Sequence, residues 1–138
     1  MDPDNLRAVP VFASMAEPDL RMIATFASED SVPAGATLMR EGDYSNEMVA
    51  IESGTADVIR DGRKVAGLGP GDVFGERGVL ERELRTASIV ASSPMRLIRL
   101  TSWDVKRLPV EIRDRLAELV EIRRSPDPAD KPAADSGR

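Results

Sequence analysis

The chain has 138 residues, a formal net charge of −5, no cysteine and no histidine, which bounds it to one domain of ordinary size with room for one real core and excludes disulfide stapling and thiol chemistry. Without histidine it lacks the commonest general base and the commonest metal ligand, and its acidic balance argues against a nucleic-acid surface, which needs clustered Lys and Arg. No apolar run approaches the ~20 residues that span a bilayer and no basic-then-apolar signal region opens the chain, so the expectation is a cytoplasmic protein with no direct membrane contact.

Residues 1–28 read as an N-terminal helical segment. Val9-Pro10-Val11-Phe12 is a short apolar patch, and Pro18 with Leu20, Ile23, Ala24 and Ala27 at helical spacing predicts an amphipathic helix over 18–27. From Ser31 the pattern changes to short segments between turns: Pro33-Ala34-Gly35, then a strand over 37–40, Glu41-Gly42-Asp43, and a strand over 47–52. Strands over 55–60 and 63–68 flank Asp61-Gly62, the strongest hairpin signal in the chain. Further strands are expected over 86–91 and 95–100, with a turn at Ser92-Ser93-Pro94. Roughly eight short strands with few intervening helices predict a mainly β fold, an antiparallel jelly roll over 29–100 with flanking helices. Thr101 or Ser102 caps a short helix, Pro109 interrupts it, and 110–124 forms a second helix with Ile112, Leu116 and Leu119 along one stripe. That apolar stripe must be covered, and it would suit a homodimer or an effector protein. Residues 125–138, with Pro126, Pro128 and Pro132, lack the apolar content to fold and read as a disordered tail.

The stretch 71–89 fits neither pattern. A short helix opening near Gly75 would present unpartnered backbone N–H groups and the positive end of its dipole to an anion. Glycine at 75 and 78 permits close approach of a phosphate, and the guanidinium fork of Arg85 matches two phosphate oxygens. Residues 75–86 carry three acids (Glu76, Glu81, Glu83) and three bases (Arg77, Arg82, Arg85), so anion binding here must come from aimed groups and not from a bulk positive field. Glu76 would be repelled by a phosphate alone, and makes sense as an acceptor for a ribose hydroxyl.

Phe74-Gly75-Glu76, Gly78-Val79-Leu80 and Arg85-Thr86-Ala87-Ser88-Ile89 together resemble the phosphate-binding cassette of cyclic nucleotide-binding domains, found in the bacterial cAMP receptor protein and in regulatory subunits of cyclic-nucleotide-dependent kinases. The resemblance implies a ligand, cAMP or cGMP, and no metal. It implies that Glu76 holds the ribose 2′-hydroxyl while backbone N–H groups near Gly75, Arg77 and Gly78, with the Arg85 side chain, hold the cyclic phosphate. Val79, Thr86 and Ala87 complete the cassette, and the purine would lie against Val58, Val65, Leu68 and Phe74. The family often has Pro where Leu84 stands and Ala where Gly78 stands; the first change removes no ligand group and the second keeps the residue small. The family also makes the helices at 101–124 a hinge and lid over the base, with Pro109 as the joint. Thr86 is ambiguous, since a hydroxyl there accompanies cGMP preference in kinases yet also occurs in bacterial cAMP receptors; cAMP is favoured.

The function expected is a cyclic-nucleotide-binding regulatory domain that converts occupancy into movement of the C-terminal helices. The alternative keeps the jelly roll as a ligand-free scaffold or dimerisation domain of a larger assembly. An enzyme is not expected, because no convincing nucleophile or general base is present and a metal-dependent jelly roll of the cupin kind would need a histidine cluster.

Overall fold

The computed structural model describes residues 1–42, 47–75 and 87–123, with side chains as far as 119. Three short helices open the chain: α1 (Pro3–Arg7), α2 (Pro10–Ala13) and α3 (Glu17–Phe26). Eight strands follow among the described residues: β1 (Ser28–Val32), β2 (Thr37–Met39), β3 (Glu47–Ser53), β4 (Ala56–Arg60), β5 (Arg63–Leu68), β6 (Val73–Phe74), β7 (Ser88–Ala91) and β8 (Met95–Thr101). Helices α4 (Ser102–Arg107) and α5 (Val110–Arg123) end the described chain.

The strands pair as nested antiparallel couples: β4 with β5, β3 with β6, β2 with β7 and β1 with β8. A long two-stranded ribbon with its tip at Asp61-Gly62, folded over on itself, gives this arrangement. Folding brings β3 beside β8 and β4 beside β7, closing two four-stranded sheets of order β1-β8-β3-β6 and β2-β7-β4-β5. This is the expected jelly roll. At the tip Asp61 takes φ 52° and Gly62 φ 78°, the left-handed pair that a two-residue hairpin turn of the right twist demands.

The first sheet has two dry faces. Val49, Ile51, Leu97 and Phe74 meet Val58, Leu68 and Ile89 of the second sheet. Met48, Ala50, Ile98, Leu100 and Val73 meet the helices through Leu6, Phe12, Leu20, Ile23, Val105, Leu108 and Leu116. The layers are therefore helices, sheet and sheet, with one cluster in each gap.

Proline sets the joints of the helical layer. Asp2, Val9 and Leu108 each precede a proline and each is extended (ψ 125°, 128° and 146°), as the proline ring requires. Prolines then stand in the first turns of α1 and α2, where the missing N–H costs nothing. Thr101 caps α4 by accepting from Asp104 N–H, as its sequence position predicts. Pro109 separates α4 from α5, and its carbonyl accepts from Ile112 and Arg113 to start the new helix. Arg107 of α4 lies 5.4 Å from the Phe26 ring centre of α3, a cation–π contact between the two ends of the helical layer.

Several expectations need correction. The patch at 9–12 lies in α2, with Val9 as its N-cap, and β1 begins at Ser28, before the predicted change of pattern at Ser31. Residues β1 contributes are mostly polar, Ser28-Glu29-Asp30-Ser31, because β1 is the edge strand and pairs only with β8, so its hydrophobic alternation is absent. The apolar stripe of α5 is not an open face: Ile112 and Leu116 are buried and Leu119 packs on the helix-side cluster. On this helix α2 packs alongside. Exposed large apolar side chains are found elsewhere: Trp103 on α4 is 79% exposed and Val110 51%. The proposed tail at 125–138 lies outside the described residues, as does Asp43.

Two substitutions check this packing. At Gly54, φ is 91° and an added Cβ would stand 2.3 Å from the Pro94 carbonyl oxygen, so Gly54→Ala should lower the unfolding free energy by about 1–3 kcal/mol in urea titration. Leu116→Ala should cost about 2–5 kcal/mol, with a wild-type unfolding transition that does not move with protein concentration; a concentration-dependent transition would mean the stripe packs between chains.

Candidate functional site

The stretch assigned to phosphate binding begins where the described chain is most constrained. After β5 the chain turns through Gly69–Asp72, held by Asp72 N–H to the Gly69 carbonyl at 3.0 Å and by Gly69 N–H to the Asp72 carboxylate at 2.8 Å. Gly71 N–H donates to the Ile51 carbonyl at 2.8 Å and Ile51 N–H to the Asp72 carbonyl at 2.9 Å, which fixes this turn to β3. Gly71 has φ 91°, a conformation that glycine adopts without strain. Two residues of β6 follow, with Phe74 paired to Val49 and its ring buried between the sheets. Gly75 then leaves the strand with φ 80°. On the far side the chain re-enters at Ala87, fully buried, and continues into β7.

Four of the predicted ligand residues come together in the inter-sheet cluster: Val58, Leu68, Phe74 and Ala87. Val58 sits opposite Ile89 on one side and Ala66 on the other, so the residues expected to wall the site belong to the core of the roll. Val65 does not join them. Cross-strand pairing passes from Val58–Ala66 to Ile59–Lys64, leaving Val65 as the extra residue of a bulge, 37% exposed. Ala66 takes the inward position instead and packs on the cluster. Glu76, Arg77, Gly78, Val79, Arg85 and Thr86 lie outside the described residues.

The charged groups near the strands are mostly consumed by each other. Arg99 on β8 donates to Asp30 of β1 at 3.1 Å and to Glu47 of β3 at 2.9 Å, bracing three neighbouring strands. Lys64 pairs with Asp57 at 3.1 Å across the β4–β5 hairpin. Two carboxyls depart from ordinary behaviour, Glu29 and Glu52, and both lie on the first sheet away from the inter-sheet cluster. Sequence reading passed them over, because nothing in the spacing of residues 29 and 52 announces that β1 and β3 flank the same strand. Among the described residues no group of three or more His, Cys, Asp or Glu could hold a metal ion, and no helix is long and apolar enough to cross a membrane.

Relatives with known roles share this arrangement. The chain is 32% identical over 126 residues to the cAMP-dependent protein kinase regulatory subunit of Aspergillus niger, covering 90% of this chain and 30% of that one. It is 33% identical over 95 residues to a cGMP-dependent protein kinase of Caenorhabditis briggsae, covering 64% of this chain and 13% of that protein. It therefore spans less than a third of the length of either relative. Among solved structures, the regulatory domain of Toxoplasma gondii PKA, crystallised with cAMP, superposes with a TM-score of 0.71 at 22% identity, over 87% of this chain and 48% of that one, which establishes a common fold. The family model described as the cyclic nucleotide-binding domain matches residues 29–109, from the first strand of the roll through the proline joint. A match of that extent, on a roll whose strand order and cluster are those just described, makes this chain a member of the cyclic nucleotide-binding domain family.

Proposed function

We propose that the chain is a cytoplasmic, non-catalytic sensor that binds a cyclic nucleotide monophosphate between its two sheets and reports occupancy through its C-terminal helices. The observation that carries the reading is the family match across residues 29–109. That span takes in Glu76 and Arg85 together, while Phe74 and Ala87, which bracket them in sequence, are both buried in one apolar cluster with Val58 and Leu68. An apolar wall beside a segment rich in aimed polar groups is the composition that a purine joined to a ribose phosphate requires. Glu76 takes the ribose 2′-hydroxyl; the N–H groups of 75–78 and the Arg85 guanidinium take the phosphate. Val65, standing at the bulge, meets the base only at the open rim of the site.

Coupling to the helices is a population shift, limited by the ligand's differential affinity for two helix positions. Binding at ~1 μM supplies about 8 kcal/mol in total, ample for a switch that costs a few. Val105 and Leu108 of α4, both buried, are the receiving surface for Val79 or Leu80, and the break at Pro109 is where α5 turns. The relatives include kinases named for either nucleotide; cAMP is the favoured ligand here, with the Thr86 hydroxyl as the group that would admit cGMP.

Titration calorimetry with both nucleotides tests the reading. Wild type should bind in the micromolar range, and Arg85→Ala should weaken binding roughly ten- to hundredfold, the worth of charge-assisted hydrogen bonds to one phosphate. No binding of either nucleotide at tens of micromolar would end the proposal. Thr86→Ala should leave cAMP affinity nearly unchanged; a selective loss of cGMP from a tighter wild-type value would reverse the stated preference.

A further inference from the structure

The helical layer carries apolar side chains that the packing of the roll does not use. Among the described residues the exposed large ones are Met22, Val65, Trp103 and Val110, and all but Val65 lie on the helices. The contact of Arg107 with the Phe26 ring at 5.4 Å ties α4 to α3. Met22 stands one turn before Phe26 and Trp103 one turn before Arg107, so each pair shares a helix face, and Val110 opens α5 just past the proline joint. On α4 the two faces differ sharply. Val105 is buried, as is Leu108 at its end, whereas Trp103, Lys106 and Arg107 are exposed.

We propose that the outer face of α4 docks an acidic segment of a partner protein, which sets a large apolar side chain on Trp103 and carboxylates on Lys106 and Arg107. Charge selects this occupant. The one acid of α4, Asp104, accepts from the Thr101 hydroxyl at 2.8 Å and is partly buried, and no carboxylate among the described residues pairs with Lys106 or Arg107. Glu111, across the joint, is the next exposed acid along the chain. The outer face of α4 is thus cationic on a chain of net charge −5, which draws an acidic segment to this place and orients it. A second copy fits poorly, because a two-fold contact sets the same patch against itself, cation against cation. An anionic bilayer fits poorly too, since it repels the rest of the chain.

The indole supplies the anchor. Tryptophan is highly buried on average, and the only one of this chain, left in water, forfeits apolar burial until a surface covers it. It offers a large rigid face with an N–H at its edge, the kind of side chain that dominates the energy of protein interfaces. Its place on α4 also gives the contact a use. The opposite face of α4 carries Val105 and Leu108, the receiving surface under the proposed function; on that reading, a partner on the outer face is held by the helix that nucleotide occupancy moves. The docking itself needs no nucleotide.

Wild type, titrated with a short tryptophan-free peptide in which Glu and Asp alternate with Leu and Phe, tests this through the emission of Trp103. The emission should move to shorter wavelength and saturate, and the same peptide with Lys in place of its acids should give no shift. Lys106→Glu should weaken binding about tenfold, and Trp103→Ala, followed by calorimetry, about thirtyfold or more. Both side chains are exposed, so the urea midpoint should stay in place, which separates lost docking from lost folding. No saturable shift, an equal response to the two peptides, or unchanged affinity in Lys106→Glu would overturn the proposal. So would a shift that grows with protein concentration without peptide, the mark of self-association, or one given only by vesicles rich in phosphatidylserine. Nucleotide is left out throughout, so failure here leaves cyclic nucleotide binding standing, and failure of that binding leaves this result standing.

Discussion

Strand β3 is buried on both faces, and the fold answers to that. Met48, Val49, Ala50 and Ile51 are consecutive and all lie at or below 2% exposure, so one face needs the second sheet and the other needs the helices. At roughly 25 cal/mol for each Å² of apolar surface removed from water, leaving either face wet would forfeit several kcal/mol of a total stability that is itself small. The short helices α1 and α2, poor helix formers alone at this length, exist because this sheet gives them something to cover. The same demand draws in α5, whose Leu116 completes the helix-side cluster.

This explains which parts of the fold were legible in the sequence. The β4–β5 hairpin was readable because its information is local: Asp61-Gly62 sets the turn and the flanking residues set the strands. The break at Pro109 and the Thr101 cap are equally local, each a matter of one ring or one hydroxyl. Strand β1 was not readable, because Ser28-Glu29-Asp30-Ser31 has no apolar alternation and becomes a strand only when β8 offers its free edge. The helical turns at 3–7 and 10–13 fall in the segment read as helical, but their bounds are shaped by what they lie on.

The site divides in the same way. Phe74, Val58 and Leu68 were recognisable as apolar strand residues, and their convergence is a consequence of the nested pairing around the hairpin tip. Val65 stands apart from the other three: it is the unpaired residue between the Val58–Ala66 and Ile59–Lys64 pairs and is partly exposed, while Ala66 and Leu68 face the cluster. The stripe on α5 was correctly seen as apolar, but sequence cannot say whether a helix face is covered by its own chain or by another.

The inter-sheet cluster, proposed as the nucleotide's wall, and the helical layer lie on opposite faces of one sheet, with β3 and β8 as the common wall. The chain's single tryptophan, Trp103, stands well exposed on the helical side, near the start of α4. Its indole gives the molecule an intrinsic optical gauge on the face away from the inter-sheet cluster. Emission from that ring stays at the long wavelengths of hydrated indole while α4 keeps its present packing, and moves to the blue only when something comes to shield it. A change in colour would thus register a change in what lies against α4.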